Sequence, residues 1–264
     1  MSFRLRVVIL AVFVGAAIGV ALAYFPEPYP QPLSYHQFAD QRTLLGVPHA
    51  LNVISNLPFL IVGVWGLLFM ASAKSRRPDV FVERAERGPY WVYFVGLVLT
   101  AIGSAYYHAD PINDRLTWDR MPLAITLMSL FTAVLAERLY WRFASWLLVP
   151  LVALGVGSVI YWHVSEVRGA GDMRVYLMVQ FLPMLILPVL LVLFKPRYTG
   201  TEDLVASLGC YGIAKALEYF DGKIYEQAGF VSGHTLKHLV AGLAAFFILF
   251  MLERRREFPM PLAA

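Results

Sequence analysis

Cysteine is nearly absent. Of 264 residues only Cys210 is one, and it lies inside an apolar run, so no intramolecular disulfide can form and cysteine usage gives no redox address. Charge is scarce too, at 15% of residues against 59% hydrophobic, with a mean hydropathy of +0.61. A soluble domain of this size cannot hide so much apolar surface, which leaves a membrane protein. The apolar stretches lack the alternation of barrel strands, and an open-edged sheet cannot sit in hydrocarbon, so the class is all-helical. There is no nucleic-acid signature and no protein partner is expected, because the formal charge of +4 comes from arginines beside apolar runs, where membrane anchors sit.

What is present is a series of runs near the roughly 20 residues that a bilayer requires. Arg4 and Arg6 precede the first, about 7–24, which reads as a signal anchor or as a signal peptide ending in Ala21-Leu22-Ala23. A proline-rich connector, Pro26 to Pro32, continues into a polar segment with His36, Asp40, Arg42 and His49, where Asp40 and Arg42 can pair and order the connector. Runs of spanning length follow at about 50–73, 89–107, 120–138, 143–162, 175–194, 204–221 and 234–252. The expectation is an all-α polytopic membrane protein, a seven-helix transmembrane bundle preceded by one extra N-terminal apolar helix. Its parts are the signal anchor or signal peptide (1–25), an extracytoplasmic connector (26–49), the membrane domain (50–254) and a cytoplasmic tail (255–264).

Cations set the orientation. Lys74, Arg76, Arg77, Arg84 and Arg87 share one connection, and Arg138, Arg142, Lys195, Arg197 and Arg254 to Arg256 fall on the same side as Arg4 and Arg6, which makes that side cytoplasmic. All six histidines then fall near the opposite, extracytoplasmic ends of the runs. Trp65, Trp91, Trp118, Trp141, Trp146 and Trp162 are expected mostly in the interfacial belt. The pairs Gly15/Gly19 and Gly209/Gly212 read as helix-packing residues, and Lys215, Glu218 and Asp221, three apart, as an ion-pair ladder.

The chemistry gathers at Ser232-Gly233-His234-Thr235-Leu236-Lys237-His238, which opens the last run. Residues four apart share a helix face, so His234 and His238 can aim two imidazoles at one point. His108, ending an outward-going run at the same depth, is the candidate third ligand, and three imidazoles with one open position is a common way to hold catalytic zinc. Ser104 lies one turn before His108, and Asp119 in Trp118-Asp119-Arg120-Met121-Pro122 is expected at the start of the next helix, where the dipole favours a carboxylate. His36, His49 and His163 fit no ligand spacing and read as ordinary interfacial residues.

Ser104-x3-His108, Asp119 eleven residues on, His234-x3-His238 and Asn52-Val53-Ile54-Ser55-Asn56 together resemble the alkaline ceramidases, within the superfamily of seven-helix membrane hydrolases that includes the adiponectin and progestin receptors. The resemblance runs from about residue 35 onward. It implies that His108, His234 and His238 bind zinc, and that Asp119 and Ser104 are catalytic, Asp119 moving a proton and Ser104 stabilising the oxyanion. The implied substrate is ceramide or a similar N-acyl lipid, cleaved to a fatty acid and a sphingoid base. The extra first run is an addition to the family's seven. A further departure lies before the second run, where the family's calcium site needs carboxylates: here His49 stands at one such position, and only Glu27 and Asp40 are acidic, which argues against calcium. The end Met260-Pro261-Leu262-Ala263-Ala264 carries no eukaryotic retention signal, and a bacterial member with its site on the outer side of the inner membrane is the expectation. Residue types alone leave open an ester in place of the amide, a b-type haem protein, and a receptor or transporter with a structural metal.

Overall fold

The computed structural model describes residues 1–258; the last residues of the expected tail, 259–264, which include the end Met260-Pro261-Leu262-Ala263-Ala264, lie outside the described residues. Among the described residues there is no β-strand, only isolated bridges between Leu44 and Val47 and between Tyr198 and Glu257. The helices in chain order are α1 (Phe3–Tyr24), α2 (Ala50–Ile54), α3 (Leu57–Ala71), α4 (Arg87–Ala109), α5 (Asn113–Arg138), α6 (Phe143–Trp146), α7 (Leu148–Val167), α8 (Arg174–Leu193), α9 (Thr201–Tyr219), α10 (Asp221–Ala228) and α11 (Gly233–Arg254).

Seven stretches among the described residues are long and apolar enough to cross a membrane: Phe3–Tyr24, Ala50–Ala71, Arg84–Ala109, Asn113–Arg138, Phe143–Val167, Arg174–Leu193 and Gly233–Arg254. The run expected at 204–221 is the long helix α9, but Glu202, Asp203, Lys215 and Glu218 make it too polar to join them on composition. It packs broadly along α11, Lys215 and Glu218 pair with each other, Asp203 pairs with Arg254, and Glu202 is exposed.

Neighbouring helices close a ring. α3 packs on α4, α4 on α5, α5 on α7 and α8, α9 on α11, and α11 on α3, while α8 and α9 meet only slightly. α1 buries none of its residues and lies outside the ring against α8. Gly209 and Gly212 have open space where a side chain would project, as do Gly15 and Gly19, so neither pair packs helices within the chain.

A proline and a glycine set one of the tightest contacts in the ring. Pro122, inside α5, has no N–H to donate to the carbonyl of Trp118 one turn earlier, and its ring pushes that carbonyl away from the helix axis. The freed oxygen points at Gly103 of α4, where an added Cβ would sit 2.0 Å from it. Only glycine admits this approach, and it falls beside Ser104 and Asp119.

At the end of the bundle opposite the connector, charge is buried in an organised cluster. Glu137 accepts from Tyr90 at 2.8 Å and pairs with Arg255, whose guanidinium lies 4.2 Å from the ring centroids of both Phe81 and Tyr198. Arg255 was expected in the tail beside Arg254 and Arg256, yet its side chain is fully buried. Tyr198 donates to Glu86 at 2.5 Å.

Candidate metal centre

The start of α11 is fixed by its own sequence. Ser232 Oγ accepts from the backbone N–H of Thr235 at 3.1 Å, an N-cap that satisfies one orphan donor. A Cβ on Gly233 would lie 2.2 Å from the carbonyl oxygen of Leu217, so glycine lets α11 begin against α9. The N–H of His234 donates to Asp221 Oδ1 at 2.7 Å, and Asp221 Oδ2 accepts from Ala39 at 3.0 Å. Asp221 therefore caps α11 and ties it to the connector instead of extending the ladder, of whose three expected members Lys215 and Glu218 pair at 2.7 Å.

With that register set, His234 and His238 face His108 from the last turn of α4. All three are buried, and one ring nitrogen from each lies within 4.8 Å of the others. His108 Nε2 and His234 Nε2 stand 3.3 Å apart. Zinc–nitrogen bonds of about 2.05 Å in a tetrahedron place ligand atoms about 3.3 Å from one another, so this pair already has the edge length of a zinc site. His108 Nδ1 is buried and meets no hydrogen-bond partner among the described residues. The donor set fits a metal ion.

A second layer orients His238. The span Ala50–Ala71 breaks between α2 and α3 because the Asn52 carbonyl is taken by side chains, accepting from Asn56 Nδ2 at 2.8 Å and Ser55 Oγ at 3.1 Å, and Pro58 then opens α3. Ser55 Oγ, its proton on that carbonyl, accepts from His238 Nδ1 at 2.8 Å, which leaves Nε2 free for a metal. Thr235 donates to Asn52 Oδ1 at 2.8 Å. The motif from Asn52 to Asn56 thus serves the histidines through its break in the helix, a role its spacing alone did not disclose.

Ser104, Asp119 and His238 line one end of a cavity of about 140 Å3, roughly ten times what a single water needs. Apolar walls from Leu97, Leu127, Leu130, Met184 and Ala245 carry it deeper into the bundle. From Asp119 to Leu130 along α5 this amounts to about 16 Å. Asp119 is not at a helix start: α5 begins at Asn113, so the carboxylate lies in the second turn, and the first-turn acid is Asp114. The helix dipole therefore contributes less there than the sequence suggested. Lys215, Glu218 and Lys237 complete the polar end of the cavity.

The connector closes the other side. Phe38, 4% exposed, packs its ring 4.7 Å from His108 and 4.4 Å from His234. Its segment is pinned by Arg42, which grips Asp40 with both nitrogens at 2.8 and 2.7 Å and donates to the carbonyl of Phe230. That guanidinium holds the Asp40 carboxyl below its usual range. His36 bridges Tyr107 and Asn113, His49 meets the Asp40 carbonyl and His163 meets Thr117, so none of the three joins the metal group. Glu27 and Asp40 are not brought into that group either.

Arg120 follows Asp119 on α5. It is 3% exposed, caged by the rings of Trp162 at 4.3 Å, Tyr176 at 4.7 Å and Tyr35 at 5.6 Å, with Nη2 donating to Gln31 at 2.5 Å and no carboxylate partner among the described residues. Trp162 is consequently fully buried and stacks on a cation, unlike the exposed belt of Trp65, Trp118 and Trp146. The aromatic partners come from separate segments, and no local pattern in the sequence links them. Neither family models nor curated proteins give a match to this chain, so its own residues carry the functional reading.

Proposed function

We propose that this protein is a zinc-dependent amidohydrolase of the membrane that cleaves ceramide or a similar N-acyl lipid to a fatty acid and a free amine, as its resemblance to the alkaline ceramidases implies. The observation that carries the reading is a cluster of three buried imidazoles, one of which, His238, lines an apolar-walled cavity together with Ser104 and Asp119. His108, His234 and His238 would hold the zinc, which would supply Lewis acidity and lower the pKa of water there to about 7. Asp119 takes the proton of the attacking water and delivers it to the leaving amine as the C–N bond breaks, and the water oxygen ends on the acyl carbon. Ser104 donates to the oxyanion that develops on the carbonyl.

The acyl chain lies along the apolar walls, and the slight meeting of α8 and α9 beside the cavity gives it a path from the bilayer. Phe38 keeps bulk water from the histidines on the connector side. By the distribution of cations, that side is extracytoplasmic. The ligand geometry counts against haem: axial ligands stand on opposite faces of a macrocycle, and nitrogens 3.3 Å apart leave no room for one.

The test is bound metal, by mass spectrometry on untagged protein in detergent, followed by fatty-acid release from N-acyl lipids. About one zinc per chain, lost with activity in His238→Ala, is expected. A folded protein without metal, or release that survives both His238→Ala and chelation, refutes the proposal.

A further inference from the structure

The polar end of the cavity holds more hydrogen-bond donors than the protein uses. Lys215 Nζ donates to Glu218 Oε2 at 2.7 Å and Lys237 Nζ to Glu218 Oε1 at 2.5 Å, while Tyr35 donates to the same Oε1 at 3.3 Å. Two ammonium groups therefore share one carboxylate, whose oxygens are both taken. Each ammonium has three N–H donors. Of the six, two are spent, and the other four meet no acceptor among the described residues. The Lys215 ammonium otherwise faces the ring of Phe181, its centroid 5.5 Å away. Asp119 lines the same cavity and balances the second lysine in charge, yet accepts a hydrogen bond from neither.

The side chains of Lys237 and Lys215 are only 17% and 32% exposed, and both line the cavity inside the bundle. An ammonium held out of bulk water is costly unless its donors find acceptors, and anionic oxygens satisfy them best. Lys237 stands one residue from His238, which puts these donors at the depth of the metal centre and away from the apolar walls.

We infer that Lys215 and Lys237 form a recognition site for an anionic group carried on the amine side of the lipid, within a few bonds of the scissile amide. The preferred substrate class is then an acidic N-acyl lipid, with either a carboxylate, as in an N-acyl amino acid, or a phosphate, as in a phosphorylated ceramide, in place of a neutral headgroup. The inference rests on the hydrolase reading for where the amide lies, whereas the anion site itself stands on the lysines.

Binding tests it directly. The full chain in detergent, dialysed against a chelator to prevent turnover and remove any bound cation, is titrated with N-palmitoylglycine and N-palmitoylethanolamine, which differ only in carboxylate against hydroxymethyl. A parallel pair is ceramide 1-phosphate and ceramide. The anionic member of at least one pair is expected to bind about tenfold tighter or more, and the pair with the larger ratio identifies the group. In Lys215→Gln and Lys237→Gln, each checked for an unchanged melting temperature, the ratio should fall to about threefold or less. A wild-type ratio near one in both pairs overturns the inference whether or not the variants fold, as does a preference untouched by either substitution. Anion preference without hydrolysis by the zinc-loaded protein keeps this site and removes the amidase; hydrolysis without preference does the reverse.

Discussion

Replacing Gly103 by alanine tests the proline-shaped contact between α4 and α5. The new Cβ would lie 2.0 Å from the Trp118 oxygen and 2.9 Å from its carbon, both backbone atoms that cannot rotate away. To reach even 3.0 Å the two helices must part by about 1 Å where Ser104 and Asp119 stand. Overpacking of this kind costs about 1–3 kcal/mol, and a rigid backbone neighbour puts Gly103→Ala at the upper end. Gly209→Ala is the control, because nothing lies within 4 Å of its Cβ and alanine gains about 1 kcal/mol of helix propensity. Thermal unfolding in detergent should lower the melting temperature of Gly103→Ala by on the order of 5 °C or more and leave Gly209→Ala unchanged or higher. Equal melting of the two variants would refute the claim that the freed Trp118 carbonyl demands glycine.

Other consequences follow from the buried networks. Ser55→Ala removes the partner of His238 Nδ1 and should weaken metal binding about 10- to 100-fold, read as metal retained against a graded chelator series. Phe38→Ala opens the connector side of the histidines and should speed metal loss to a water-soluble chelator about tenfold, whereas unchanged loss would mean that Phe38 is not the seal. Asp172, between α7 and α8, is held at a pKa of about 2 by its hydrogen bonds to Arg174; because the folded value lies below the ordinary 3.8, its stabilisation is complete above that range and fades as pH falls from about 3.8 to about 2. Asp172→Asn should therefore flatten acid unfolding in that window, and an unaltered profile would assign the loss to other carboxylates. Arg255→Ala strands Glu137 in the buried cluster and should destabilise by about 3–5 kcal/mol, measured by chemical unfolding in mixed micelles.

Apolar run length carried most of the fold into view, since a bilayer imposes nearly the same requirement on every span. The boundary at Asn113 escaped it because Asn113, Asp114 and Arg115 are polar, and a helix rim can be polar where it stays wet. The histidines were legible because four-residue spacing on one helix is a local signal. Lys237, placed between two of them in the sequence, was not: nothing local says that its long side chain turns to Glu218 on α9. The same holds for Phe38 over the imidazoles and for Arg255, whose cage is built from Phe81, Tyr90 and Tyr198 on three separate segments. Such contacts depend on which helices are neighbours, which run lengths do not encode.

The cage around Arg120 constrains the order in which this protein can assemble. The arginine is made with α5, before Trp162 of α7 and Tyr176 of α8 exist, so a nascent chain carries an unsheltered cation until those two helices have arrived. Gln31 and Tyr35 are synthesised much earlier and meet Arg120 directly, but the cage they complete with it stands only once the aromatic walls of α7 and α8 are in place. Docking of the connector thus belongs to the end of biogenesis, and because the same segment brings Phe38 onto the histidines, the three imidazoles are covered only in chains whose helices have already found their places.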